Sequence, residues 1–502
     1  MAMVSIASFH KHSRPMPELK FLRTALIASL SVTLCGCAVG SDYREPIPYA
    51  ASAWNAPLPH GGEPEAMSDW WEQFDDPVLN RLVATAEASS PSLVKAWANI
   101  EKARATLRST QAGALPGLSA NGAVSRGEQP MQSGSTSSVA TTRSGGLDAS
   151  WEIDLFGKVR RSAEAAQARI EARVDDWHDA RVSLGAEVAD TYVQYRACGL
   201  LAEAYERELV SMVKTERATN TLVDAGFKPP ADGALARASL ASTRSSLASQ
   251  RGQCELLVKS LVNLTGSEED SLRSLVDSGT GDIPQPRLLK VHSVPADALR
   301  QRPDLAAVER ELAAASAEIG VARADLYPSL SLSGSLTVSA TDPIPSTKSW
   351  SFGPSLSIPL FDGGKRRAAV DSARAGYTSA LADYRQGVRD AVEEVERALV
   401  NLDSTAERAE QAERAEQEYR RYFLATEASW RAGRESLIVL EEARRSALSA
   451  ETQRIALQRD RVEYWIALYK ALGGGWEPGT PATAPGSEAI SLQSINHQWG
   501  AF

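Results

Sequence analysis

The sequence has few of the residues from which metal sites and nucleophilic active sites are built. Its 502 residues include six histidines, four cysteines and six methionines, and aromatic side chains make up 6% of the chain. It contains neither HExxH nor CxxC. The Gly-Lys pairs at 157–158 and 364–365 continue with Val159 and Arg366, so neither is a phosphate-binding loop. These absences argue against an enzyme, a resident metal and a cofactor.

Positive charge is also in short supply. Lys and Arg number 54 against 63 Asp and Glu, a formal net charge of −9. Because a nucleic-acid binder needs a basic surface, this balance argues against a nucleic-acid partner. Hydrophobic residues at 43% and charged residues at 23% are ordinary for a globular protein and exclude wholesale disorder.

Long apolar runs are missing, apart from a short one near the N-terminus. Residues 24–34 form an apolar segment preceded by Lys and Arg residues, and it is shorter than the ~20 residues of a membrane-spanning helix. The segment is therefore predicted to be the core of a signal peptide, residues 1–36. The sequence Leu34-Cys35-Gly36-Cys37 resembles a bacterial lipobox, which predicts lipidation of Cys37. An ordinary signal peptide followed by an accidental cysteine is the alternative. Ala38, in place of Asp, favours delivery to the outer membrane.

The middle of the chain is predicted to be an internal duplication of roughly 200 residues. Four landmarks recur in the same order, between 205 and 212 positions apart. They are Leu115-Pro116 with Tyr327-Pro328, Leu155-Phe156 with Leu360-Phe361, Ala225-Gly226 with Ala432-Gly433, and Leu264 with Leu472.

Each half has the same predicted order of elements. A helix (91–113 or 303–325) is followed by two strands and then by a very long helix (158–225 or 366–431). A turn at Gly226 or Gly433 leads into a return helix that ends near 264 or 471. At 1.5 Å per residue, the long helices span ~100 Å, so they must pack along their length as a coiled coil or a helical tube.

The predicted strands alternate apolar and polar side chains. One face of the second strand carries Leu147, Ala149, Trp151, Ile153 and Leu155, and one face of the fourth carries Trp350, Phe352, Leu356, Ile358 and Leu360. Alternation of this kind is typical of a half-exposed soluble sheet or of a transmembrane β-barrel. A barrel within one chain needs about eight strands or more. Four strands therefore predict a barrel shared by several chains, if the sheet is a barrel.

Five motifs in this order identify a family resemblance. The chain resembles the TolC-like outer-membrane factors, of the NodT-type lipoprotein subfamily that serves tripartite efflux pumps. The resemblance covers nearly all of residues 34–476. Its motifs are Trp70-Trp71 with Asp76-Pro77 and Leu79, Trp151 to Arg161, Arg302 to Leu305, Leu360 to Gly364, and Leu468 to Trp476.

The resemblance implies a fold and a function. The fold class is an α+β membrane protein: a homotrimer with a twelve-stranded β-barrel, four strands per chain, continuous with a long periplasmic α-helical barrel. The function is that of an exit duct in the cell outer membrane, fed by a periplasmic adaptor and an inner-membrane pump of RND type, with outer-membrane lipid around it and no cofactor beyond the lipid on Cys37. The implied segments are 37–90 (anchor and N-terminal equatorial segment), 91–265 (first repeat), 266–302 (equatorial linker), 303–472 (second repeat) and 473–502 (C-terminal equatorial segment and tail).

The resemblance also implies a periplasmic constriction near the two hairpin turns, Gly226 and Gly433. Asp232, Trp430 and Glu442 match the family's tip Asp, aromatic network residue and ring carboxylate. Glu435 stands where a basic partner is often found, and Val439 stands at a second carboxylate position. Lys228, Arg431 and Arg434 are the candidates for the missing positive charge. Ordinary exposed helix-end charges are the alternative for each of these residues.

The two remaining cysteines are symmetric about the first turn. Cys198 and Cys254 lie equally far from Gly226, so they face each other in an antiparallel hairpin. An oxidising periplasm permits a disulfide between them, and two buried free thiols are the alternative.

Two other functions stay open at this point. The same duct could serve a type I protein-secretion system. A coiled-coil lipoprotein that tethers the outer membrane would explain the lipobox and the helices, but it leaves the alternating strands unexplained.

Overall fold

The computed structural model describes residues 38–46, 54–56, 73–130, 137–279, 281–286, 299–342 and 344–484. Several predictions fall outside the described residues: the signal peptide 1–36, the lipidation site Cys37, the Trp70-Trp71 pair and residues 485–502 of the C-terminal segment.

The part of the chain that the structure describes contains eight main helices and four strands. In chain order they are α1 (Pro77–Ser89), α2 (Pro91–Ala112), β1 (Gly117–Pro130), β2 (Ser137–Ile153), α3 (Lys158–Asp224), α4 (Pro230–Thr265), α5 (Glu269–Asp277), α6 (Pro303–Ala324), β3 (Ser329–Thr341), β4 (Ile344–Ser357), α7 (Lys365–Arg431) and α8 (Leu437–Ala471). The two long helices, α3 and α7, contain 67 residues each.

Helix starts are set by proline and aspartate. Proline is the first residue of α1, α2, α4 and α6, where its missing N–H costs no intrahelical hydrogen bond. The carboxylate of Asp154 accepts hydrogen bonds from the amides of Val159 and Arg160 at the start of α3. Asp362 accepts one from the amide of Arg366 at the start of α7. These side chains satisfy amides that have no partner within the first helical turn.

The four strands form one antiparallel sheet in the order β1-β2-β3-β4. Residues that lie opposite each other belong to one face, and the two faces differ sharply. An apolar row crosses all four strands through Ala120, Leu147, Leu336 and Trp350. The adjacent row on the other face is polar and contains Ser119, Asp148, Ser335 and Ser351. The predicted alternation of apolar and polar side chains is therefore confirmed.

Two strands end earlier than their sequence pattern predicts. Strand β2 ends at Ile153, because the next residue, Asp154, turns to cap α3. Strand β4 ends at Ser357, two residues before Pro359, which has no N–H to extend the ladder. Leu155, Ile358 and Leu360 thus follow the alternation but lie beyond the strands.

The described residues fall into two compact units. The first contains the described residues up to Tyr43 with Thr106–Ala166 and Ala315–Tyr377, and so it holds the sheet. The second contains the described residues of Arg44–Ala105, Gln167–Ala314 and the part of the chain from Thr378 onward.

The second unit has a large apolar core. Its most deeply buried side chains include Leu79, Ile100, Tyr192, Leu261, Leu399 and Tyr469. Asp76 caps α1 through the amides of Val78 and Leu79, and its second carboxylate oxygen accepts a hydrogen bond from the Tyr192 hydroxyl at 3.0 Å. No helix within the described ranges is long and apolar enough to cross a membrane.

Candidate functional site

The two hairpin turns lie at the ends of the long helices and share one geometry. Gly226 has a φ of 76° and Gly433 a φ of 71°, both in the left-handed region that glycine adopts without steric cost. The amide of Phe227 bonds to the carbonyl of Leu222 at 2.8 Å, and the amide of Arg434 bonds to that of Ser429 at 2.9 Å. These 6→1 hydrogen bonds end α3 and α7 and turn the chain toward α4 and α8.

A small apolar cluster lies next to the turns. Ala236 from α4 and Leu437 and Leu440 from α8 are buried, and Phe423 and Trp430 from α7 pack against them. Trp430, predicted from the sequence to be part of a tip network, thus packs against a cluster that contains residues of both hairpins.

The predicted tip charges differ in burial and in the residues with which they pair. Asp232 is half-buried and pairs with Lys228 at 3.9 Å, one helical turn away. Arg431 pairs with Glu427 at 2.9 Å. Glu435 and Glu442 are both exposed. A ring formed by any one of these carboxylates would need several copies of the chain.

A buried ion pair that the sequence did not reveal lies beside these residues. The side chain of Arg444 is 1% exposed and pairs with Glu441 on the same helix at 2.8 Å. It also donates a hydrogen bond to the hydroxyl of Thr215, on α3, at 2.7 Å. Its guanidinium lies 5.6 Å from the centre of the Phe423 ring, on α7. Arg444 therefore connects the two hairpins through its hydrogen bond to Thr215 on α3, while its cation–π contact with α7 lies within the second hairpin.

Two carboxylates near Arg444 are shifted by burial. Loss of solvation raises the pKa of Glu208 to about 7; Arg444 opposes this rise, and Glu441 and Glu451 add to it. Burial likewise raises the pKa of Glu441, against the attraction of Arg444 and Arg445. The contact between the hairpins thus contains more acidic groups than Arg444 alone can neutralise.

The first hairpin is closed by a disulfide. Cys198 on α3 and Cys254 on α4 are bonded, with their Cα atoms 5.6 Å apart. Their positions agree with the symmetry about Gly226 in the sequence.

No group of three or more His, Cys, Asp or Glu side chains in the described ranges is arranged to hold a metal ion. What the arrangement offers is two helical hairpins that end in glycine turns and are joined by an apolar cluster and a buried ion pair.

Comparison with known proteins identifies this architecture. The family model for outer membrane efflux proteins matches residues 82–267 and 294–474. The chain belongs to the outer membrane efflux protein family. Both matched ranges contain a long helix and its hairpin turn. The family, the outer-membrane location and the role in efflux that the sequence predicts are thereby confirmed.

The matches to known relatives extend over nearly the whole length of both chains. Nodulation protein T of Rhizobium leguminosarum bv. trifolii is 28% identical over 453 residues, which cover 89% of this chain and 96% of the relative. Outer membrane protein OprJ of Pseudomonas aeruginosa is 31% identical over 460 residues, 90% of this chain and 95% of the relative. The solved outer-membrane channel OprN is 32% identical, with a TM-score of 0.75, and the match covers 88% of this chain and all of that one. The outer membrane efflux protein described here is therefore similar to channel proteins along nearly its whole length.

Proposed function

We propose that this outer membrane efflux protein is the exit duct of a tripartite pump and works as a homotrimer. Three chains would supply a twelve-stranded barrel in the outer membrane, and their long hairpins would form an α-helical tunnel in the periplasm. A periplasmic adaptor and an inner-membrane pump, of RND type by the family resemblance, would supply the substrate and the energy. The repeated order of elements supports an origin by duplication.

The observation that carries the proposal is the open sheet. Among the described residues, β1 and β4 each pair with one other strand only, which leaves two sheet edges whose backbone groups have no strand partner there. The apolar face is exposed in the single chain: Leu118 is 73% exposed, Trp350 78% and Phe352 71%. Pairing of β1 with β4 of the next chain would remove the edges and turn the apolar face toward lipid.

The width that an open lumen needs favours three chains over two. Two chains would give eight strands, and side chains fill the interior of an eight-stranded barrel. Three chains give twelve strands, which leave a wet interior lined by the polar rows of the sheet. A conduit therefore favours three chains.

Control of the conduit is proposed to lie at the hairpin turns. Three copies of Glu442 around a narrow bore would concentrate negative potential and favour cations. Trp430 and the buried pair of Arg444 and Glu441 would hold the hairpins together in the closed state. Cys37 is proposed as the lipidated first residue of the mature chain.

Conductance in planar lipid bilayers tests this proposal. Trp430→Ala removes the apolar contact between hairpins, so we expect it to raise the conductance of the purified protein above the wild-type level. Trp350→Ala, the matched change on the exposed face of the sheet, should leave it unchanged. Glu442→Gln should lower the preference for cations over anions. Absence of conductance in both wild type and Trp430→Ala would refute the exit duct.

A further inference from the structure

The first described residues of the chain lie in a narrow slot beside the start of α3. The amide of Val39 donates a hydrogen bond to the carbonyl of Phe156 at 3.1 Å. The guanidinium of Arg161 donates to the carbonyl of Gly40 at 3.3 Å and pairs with the carboxylate of Asp42 at 3.0 Å. The segment 38–42 is thus held by main-chain and side-chain contacts at both ends.

Two glycines make room for this segment. Gly157 has a φ of +80°, and a Cβ atom placed on it would lie 2.9 Å from the Cα of Ala38. A Cβ on Gly320, inside α6, would lie 3.1 Å from the carbonyl oxygen of Val39 and 2.9 Å from Cγ of Arg161. Any side chain at either position would therefore push the segment or Arg161 out of place.

The corresponding place in the second half of the chain is open. Gly364 precedes α7 as Gly157 precedes α3, yet a Cβ on Gly364 would meet no described atom within 4 Å. Asp362 accepts hydrogen bonds from main-chain amides at the start of α7, as Asp154 does at the start of α3, so the helix start alone does not require the slot. The difference between the two places is the N-terminal segment itself.

Arg161 is buried, and its hydrogen bonds depend on the segment 38–42. Its side chain is 6% exposed and also pairs with Glu164 at 2.6 Å. A buried guanidinium is costly unless its donors are satisfied. Removal of the segment would leave Arg161 with Glu164 alone, since Gly40 and Asp42 are its other two acceptors in the described part of the chain.

We propose that Arg161 is a positioning residue that docks Ala38–Asp42 and thereby fixes the lipid-bearing N-terminus where β2 passes into α3. The inference rests on the proposed lipidation of Cys37. Cys37 directly precedes Ala38 in the sequence, so docking of Ala38 would limit the reach of a lipidated Cys37. The anchor is then a fixed part of the channel, with its acyl chains entering the outer membrane at one defined place beside the sheet.

Hydrogen–deuterium exchange of the full-length protein in detergent, read by mass spectrometry, tests the dock. In the wild type, we expect the peptide that begins at Cys37 and extends to residue 46 to show slow exchange at the Val39 amide. Gly320→Ala and Arg161→Met should each speed that exchange about tenfold or more by opening the dock. Gly376→Ala is the matched control, because its Cβ would meet nothing within 4 Å in the described chain, and it should leave the exchange unchanged.

The pattern of exchange separates docking from a general structural role. Faster exchange confined to residues 38–43, with β2 and α3 still protected and with partial recovery in Arg161→Lys, supports the dock. Wild-type exchange of Val39 at the rate of an unfolded peptide would overturn it, whether or not the variants fold. Exchange that is unchanged in both variants would overturn it as well.

The mass of the N-terminal peptide tests the premise separately. An acyl-modified Cys37 agrees with the proposal. An unmodified Cys37 would overturn the positioning of a lipid, while the conductance of the trimer would still stand as the test of the exit duct.

Discussion

Arg444 places a positive charge between the two hairpins, on the side of α8 that faces α3. Its partner Glu441 is three residues earlier, so the pair is formed within one helix and presented to the other hairpin through Thr215. Glu442, the neighbour singled out from the sequence, is exposed. Glu441 and Glu442 are thus neighbours on α8, yet the first is buried in the contact between the hairpins and the second is a candidate lumen charge.

Loss of Arg444 should weaken the protein strongly. Arg444→Leu leaves Glu441 buried without its partner, and breaking such a pair typically costs about 3–5 kcal/mol. We expect a lower thermal midpoint by circular dichroism and partial recovery in the double variant Arg444→Leu/Glu441→Leu. Arg421→Leu is the control, because Arg421 is exposed and its pair with Glu418 contributes little. A single variant as stable as the wild type would contradict this account.

Glu208 should make stability depend on pH. Burial raises its pKa to about 7, so between its ordinary pKa and pH 7 the folded state holds a proton that the unfolded chain releases. The free energy of unfolding therefore falls as pH rises through this window. Glu208→Gln should be more stable than the wild type at pH 8, and this advantage should shrink toward pH 5.

Thermal midpoints measured across this pH range check that prediction. Glu203→Gln serves as the control, since Glu203 is largely exposed on the same helix and should follow the wild type. An advantage of Glu208→Gln that stays constant from pH 5 to pH 8 would be incompatible with a raised pKa.

At the scale of elements, the sequence predicted the bounds of four helices, α2, α3, α6 and α7, to within about a residue, whereas α1 and α5 were not predicted. Helix α3 was expected at 158–225 and is Lys158–Asp224, and α6 was expected at 303–325 and is Pro303–Ala324. Proline, glycine and aspartate set these ends locally, so the information lies within a few residues of each boundary.

The contacts between hairpins could not be predicted in the same way. Whether Glu441 or Glu442 is buried depends on the rotation of α8 against α3, and 229 positions separate Arg444 from Thr215. Charge patterns along one helix do not contain that register. The sequence does contain one indication of the pair, because Glu441 and Arg444 have the three-residue spacing of an intrahelical ion pair.

The disulfide should stabilise the first hairpin. The cysteines are 56 positions apart, and chain entropy for a loop of that size predicts about 4 kcal/mol of stabilisation. Cys198→Ala/Cys254→Ala should therefore lower the thermal midpoint, and reductant should shift the wild type in the same direction. Reductant should leave the midpoint of the double alanine variant unchanged. A wild type that is insensitive to complete reduction would contradict the expected stabilisation.

At the scale of the whole molecule, residues of three family motifs make structural contacts. The guanidinium of Arg302 donates to the carbonyl of Ala471 at 3.0 Å and pairs with Glu394 at 2.8 Å. A Cβ on Gly473 would lie 1.9 Å from the carbonyl oxygen of Gln301. Arg161 holds the N-terminal segment. These motif residues hold parts of the scaffold together. They therefore indicate the family and carry no information about the substrate.

The open four-stranded sheet is the feature of one chain that is suited to assembly. Its two free edges and exposed apolar face are suited to other chains and to lipid. We therefore expect one chain to supply one third of a shared barrel.

The mass of the detergent-extracted protein by native mass spectrometry tests this claim most directly. We expect a single species with three times the mass of the mature chain, which persists until the barrel is unfolded. A monomer or a dimer that stays soluble without detergent after removal of the N-terminal lipid would contradict the shared barrel and favour a tethering lipoprotein.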